Sequence, residues 1–129
     1  MQLKKLTPNL IVRNVEASLK FYREVLGLEA AMTVPEQPPY VFAGVSNGAV
    51  EIFFNDQKVV AAEYPALAQN IAASLTLYIE VDSLSAVLDR VKAAGAKVSM
   101  PVTEQFYGMK EFAFEDSDGY TITIAEKMA

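Results

Sequence analysis

The chain has 129 residues, 11 basic and 16 acidic side chains, a net charge of −5, and neither cysteine nor histidine. An acidic balance with no Lys/Arg run argues against a nucleic-acid partner. The two missing residue types remove disulfides, thiolate nucleophiles, sulfur metal sites, the commonest zinc and iron ligand and the usual general base at neutral pH.

The length suits one domain over residues 1–129, able to bury roughly two thirds of the surface its unfolded chain exposes. MQLKKLTPNL lacks a following apolar stretch with a cleavage site, and no apolar run is long enough to span a bilayer. A cytoplasmic protein with no membrane partner is expected. The acidity leans to the second half, with six basic and seven acidic residues up to Tyr64 but five and nine after it. A cationic partner is allowed by this, and so is a merely solvated acidic surface.

Leu10 to Val12 reads as a strand entering Asn14, an N-cap residue, after which Val15, Leu19, Tyr22 and Leu26 recur along one helical stripe. Gly27 suits the left-handed position that ends such a helix. LEAAMTV and YVFAGV read as strands separated by the proline-rich PEQPP loop, and SNG reads as a hairpin turn into the strand GAVEIFF. The order is β-α-β-β-β.

A segment from about Asn55 to Ser74, part helical around Pro65 to Ala73, then leads to a second set of elements. Leu77 to Val81 is a strand, Asp82 and Ser83 are cap residues, and Leu84, Val87, Leu88, Val91 and Ala94 share a helical face closed by Gly95. AKVSM, a loop around Pro101, KEFAFE, the DSDG turn and YTITIAE complete it. A shift of 69 residues lays Thr7 on Thr76, Ala17 on Ala86 and Leu19 on Leu88, so the chain is a tandem repeat. The expected fold is α+β, with two βαβββ modules at about 5–55 and 75–127, a linker at about 56–74, and curved mixed sheets forming a cleft.

Within GAVEIFF, alternation puts Val50, Ile52 and Phe54 on one face and Ala49, Glu51 and Phe53 on the other. An unpaired buried carboxylate costs several kcal/mol by rough estimate, so the Glu51 face must hold water, a cation, a donor or a ligand. Asn47-Gly48 and Asp116-Ser117-Asp118-Gly119 read as hairpin turns, the latter lacking the later acidic ligands of a calcium loop.

VRNVEASLKFYREVLGLE and YGMKEFAFEDSDGYTITIAE resemble the vicinal oxygen chelate superfamily, which includes glyoxalase I, extradiol dioxygenases, methylmalonyl-CoA epimerase and the bleomycin-resistance proteins. Both stretches are close to forms common in the bleomycin-resistance-like branch. The resemblance implies that metal-dependent relatives take one ligand from the first and one from the last strand of each repeat. Laid on this sequence, those positions hold Thr7, Glu51, Thr76 and Thr123. One carboxylate and three neutral hydroxyls make a poor set for zinc or iron and carry too little charge to dehydrate magnesium or calcium. No metal and no cofactor are expected.

By alternation Asn9 shares the Thr7 face, Phe53 the Glu51 face, and Tyr78 and Glu80 the Thr76 face. Phe42 and Phe112 are left open, because a one-residue slip reverses them. Tyr107 falls where the family shapes the mouth of its cleft, and Lys110 either faces Glu51 or lies in solvent on the rim.

The ligand-binding set read here is therefore Glu51, Thr7, Thr76, Thr123, Asn9, Phe53, Tyr78 and Tyr107. Three functions fit it. The first is a metal-free binding protein of the bleomycin-resistance type, sequestering a cationic or aromatic drug-like small molecule as a homodimer. The second is a metal-independent lyase or isomerase with Glu51 as general base, its pKa raised by apolar neighbours such as Phe53. The third is an oligomeric protein with a vestigial cleft. The cleft forms either within one chain or between the first repeat of one subunit and the second of its partner.

Overall fold

A computed structural model describes residues 1–129 as two βαβββ units joined by two short helices. The first unit runs β1 (Asn9–Val12), α1 (Val15–Leu26), β2 (Glu29–Val34), β3 (Phe42–Ser46) and β4 (Glu51–Asp56). The linking helices are α2 (Gln57–Val60) and α3 (Pro65–Gln69). The second unit runs β5 (Thr76–Glu80), α4 (Leu84–Ala93), β6 (Val98–Glu104), β7 (Met109–Glu115) and β8 (Thr121–Lys127).

The local signals act as expected. Asn14 accepts a hydrogen bond from the Ala17 N–H at 2.9 Å, and Gly27, at φ 67°, returns its own N–H to the Arg23 carbonyl at 3.0 Å. Ser83 rather than Asp82 caps α4, accepting from the Ala86 N–H at 3.3 Å.

Each unit forms its own four-stranded sheet, in the orders β1-β4-β3-β2 and β5-β8-β7-β6. In both, the first strand lies parallel to the last while the remaining pairs are antiparallel. The helices α1 and α4 lie between the sheets. Leu10, Val12, Ile52 and Phe54 of the first sheet meet Phe112, Phe114, Ile122 and Ile124 of the second, together with Val15, Tyr22, Val25, Leu84 and Val91 from the helices, in one core. Burying each large side chain of this set stabilises the fold by about 1.5–3 kcal/mol before entropy is counted. Phe112 is fully buried and so belongs to this core, which settles its face.

Polar bonds lock the units together. The Tyr22 hydroxyl donates to Asp116 Oδ2 at 2.6 Å, while the Tyr120 hydroxyl accepts from the Ile11 N–H at 3.2 Å and donates to the Ile11 carbonyl at 2.8 Å. Asp116 also accepts from the backbone N–H groups of Asp118 and Tyr120, both at 2.9 Å. Its oxygens are thus occupied, and DSDG is a hairpin turn with Gly119 at φ 92°.

One element departs from the sequence reading. The loop expected around Pro101 is strand, because β6 runs from Val98 to Glu104 through the proline. β6 is an edge strand, where a missing N–H is tolerated, and its register against β7 shifts between Met100 and Thr103. No helix is long and apolar enough to cross a membrane.

Because the helices and both inner sheet faces share one core, alternation turns Glu51 and Phe53 to the outer face of the first sheet. The same rule turns Thr76, Tyr78, Glu111 and Thr123 to the outer face of the second.

Candidate functional site

On the first sheet Glu51 has protein partners. The Thr7 hydroxyl donates to Glu51 Oε1 at 2.7 Å, and the Lys5 ammonium lies 2.8 Å from the same oxygen. The Lys5 contact is the largest influence on the carboxyl and the Thr7 bond the next; together they hold its pKa below the usual glutamate value against a small desolvation effect. This reverses the expectation that apolar neighbours raise it. A carboxylate made less basic by a lysine is a poorer proton acceptor, so the general-base reading loses its premise.

Beside Glu51, the Phe53 ring packs edge-on against Phe42 with centroids 5.1 Å apart, placing Phe42 on the outer face as well. Gly44 makes room for this ring, since a Cβ there would stand 3.2 Å from it. Asn9 accepts a hydrogen bond from the Asn55 side-chain amide. Lys110 does not reach Glu51; by alternation it shares the face of Phe112 rather than that of Glu111, and it pairs with Glu126 at 3.7 Å.

On the second sheet, Thr76 and Thr123 hydrogen-bond to each other at 2.7 Å. Two rows cross the strands here, Ala113-Thr123-Tyr78 and Glu111-Ala125-Glu80. The small residues of β8 let Tyr78 reach from β5 across an intervening strand, about 9.6 Å at ordinary strand spacing, to donate its hydroxyl proton to Glu111 Oε2 on β7. The Tyr107 hydroxyl donates to Glu111 Oε1 at 2.9 Å, and the Gln105 amide approaches that oxygen at 3.5 Å. Only 3% of Glu111 remains exposed, whereas Tyr78 and Tyr107 are each 52% exposed. The bond to Glu111 is the main reason the Tyr78 pKa is pushed up to about 12, and it raises that of Tyr107 too.

The metal that the resemblance implies does not fit these donors. The four positions are satisfied in pairs, Thr7 with Glu51 and Thr76 with Thr123, and Lys5 brings a positive charge to the carboxylate oxygen an ion needs. No three His, Cys, Asp or Glu side chains converge anywhere in the chain.

A groove of about 450 Å³ does bring Glu51 together with Thr76, Tyr78 and Glu80, floored by Ile52 and Leu77 and flanked by Leu6. Thr7 and Thr123 do not line it. A separate recess of about 420 Å³, between the end of α1 and the start of α4, contains neither Glu51 nor Glu111. Lys5 and Glu111 were missed in the sequence reading. Lys5 stood two residues before Thr7, a spacing that suggests a shared side; Glu111 stood on the Ala113 side of KEFAFE, close in sequence to Tyr107 but 33 residues from Tyr78.

Residues 4–124 match the glyoxalase/bleomycin resistance protein/dioxygenase superfamily. Among solved structures, the chain is similar to TioX from Micromonospora sp. ML1 at TM-score 0.76 and 12% identity, covering 97% of this chain and 99% of that one. A glyoxalase/bleomycin resistance protein/dioxygenase family enzyme from Burkholderia phytofirmans PsJN aligns at TM-score 0.75 and 24% identity, over 95% and 97% of the two chains. A glyoxalase-related enzyme from Fulvimarina pelagi aligns at 0.80 and 19%, over 98% and 89%. At these identities the likeness concerns the fold. No curated protein matches the sequence.

Proposed function

The chain belongs to the glyoxalase/bleomycin resistance protein/dioxygenase superfamily, and from that premise we propose that it is a metal-free protein that binds and sequesters a cationic or aromatic small molecule. The observation that carries this reading is the pairing of the four ligand positions among themselves, with Lys5 on Glu51. Such a site stabilises no developing oxyanion through a Lewis acid, but it leaves the Tyr78 ring and hydrogen-bond acceptors at a groove. Glu51, Thr76 and Tyr78 line the binding surface, with Thr7, Asn9, Phe53, Thr123 and Tyr107 shaping its two faces.

The working form in this reading is a homodimer. Thr7 and Glu51 lie on one outer face and Thr76 and Thr123 on the other, an arrangement that suits a cleft shared between the first sheet of one protomer and the second sheet of its partner. A cytoplasmic location goes with the same reading.

Calorimetry and thermal shift with bleomycin-type glycopeptides and smaller cationic aromatics test the proposal. Saturable binding and a raised melting temperature are expected. Flat responses to every compound would overturn it.

A further inference from the structure

Glu51 cannot be what selects a cation, since Lys5 already stands 2.8 Å from it. Glu111 is different. It takes part in none of the chain's ion pairs, although it is almost wholly buried. Its neighbours are neutral donors, and they satisfy its hydrogen bonding without cancelling its charge.

Those donors determine what the surface shows. A tyrosine hydroxyl has one proton and two lone pairs. Tyr78 and Tyr107 both direct that proton inward to Glu111, so outwardly each offers only acceptors, polarised by the carboxylate behind them. Both rings are half exposed, and Phe106, 98% exposed, stands edge-on to Tyr107 at 5.1 Å to extend the aromatic wall. Glu80, in the same cross-strand row as Glu111, pairs with the exposed Lys127 at 4.0 Å, which leaves Glu111 as the carboxylate without a cation partner. The patch therefore combines net negative charge, two tyrosine oxygens that face outward as acceptors, and π faces.

We propose that Glu111, Tyr78 and Tyr107 form a subsite for the charged nitrogen of an organic cation whose N–H groups meet the two tyrosine oxygens, an aromatic amidinium or a related ammonium or guanidinium. This deepens the binding reading given above and rests on it. A neutral amide of the same shape offers fewer N–H donors and no charge, and a carboxylate offers no donor and a negative charge that the patch repels.

Benzamidinium, benzamide and benzoate, titrated calorimetrically into the full chain, distinguish the cases. Benzamidinium is expected to bind about tenfold tighter than benzamide, with benzoate weakest, and its advantage is expected to shrink as salt is added. In Glu111→Gln the ratio of benzamidinium to benzamide affinity is expected to fall toward one. Equal affinity of wild type for benzamidinium and benzamide, or a benzamidinium affinity unchanged in Glu111→Gln, would overturn the subsite and leave the binding function standing. Silence from all three probes and from the larger compounds would remove both. Should Glu111→Gln fail to fold, the wild-type comparison and its salt dependence still decide.

Discussion

The hydroxyls of Thr76 and Thr123 lie 2.7 Å apart, bonded to each other across the parallel β5 and β8 pair. On the other sheet Glu51 is held by Thr7 and Lys5. In both places the side chains at the four positions that the resemblance marks as metal ligands are turned toward each other. Beside these pairs lie a groove of about 450 Å³ and, on the second sheet, the two tyrosine hydroxyls that donate to Glu111.

The Lys5 contact has a pH signature. A carboxyl with a depressed folded pKa contributes stability above its unfolded value and loses it as pH falls through the folded one. Wild type is therefore expected to exceed Glu51→Gln in stability at neutral pH, with the difference closing in acid. Denaturant titrations of both proteins from neutral to acid pH check this. A difference independent of pH would contradict the assigned ion pair.

Tyr78 is expected to ionise at about 12, because ionisation breaks its bond to Glu111 and sets two negative charges side by side. With the folded pKa raised, the stability this bond contributes is present below the ordinary tyrosine value and lost as pH rises through about 12. NMR titration of ring-labelled tyrosine should show the Tyr78 resonance moving back toward the ordinary value in Glu111→Gln. No movement would show that Glu111 is not the cause.

Tyr22→Phe removes the one hydrogen bond to Asp116 Oδ2 inside the core. The expected loss is about 2 kcal/mol by urea unfolding. Burial already raises the Asp116 pKa, so its ionised form is the less tolerated one, and the loss should be greater at neutral pH than in acid.

Much of the fold is legible in local chemistry. Asn14, Gly27 and Ser83 mark helix ends because capping depends on neighbours within a few residues, and the 69-residue repeat announces two equivalent units. GAVEIFF reveals its faces because a strand with one buried side must alternate. The strand through Pro101 is hidden, since a proline there is permitted only by the edge position, a property of the whole sheet. The Glu111 centre is hidden for a similar reason. It requires Tyr78 from β5, Tyr107 from the β6–β7 turn and short side chains on β8 between them, and no local window contains all of these.

The most direct test of a metal-free site is elemental analysis of protein purified from metal-replete medium without chelators or an affinity tag. The account predicts iron, nickel, zinc and manganese all far below one per chain, with Glu51→Gln indistinguishable from wild type. One tightly held transition ion per chain, lost in Glu51→Gln, would contradict it.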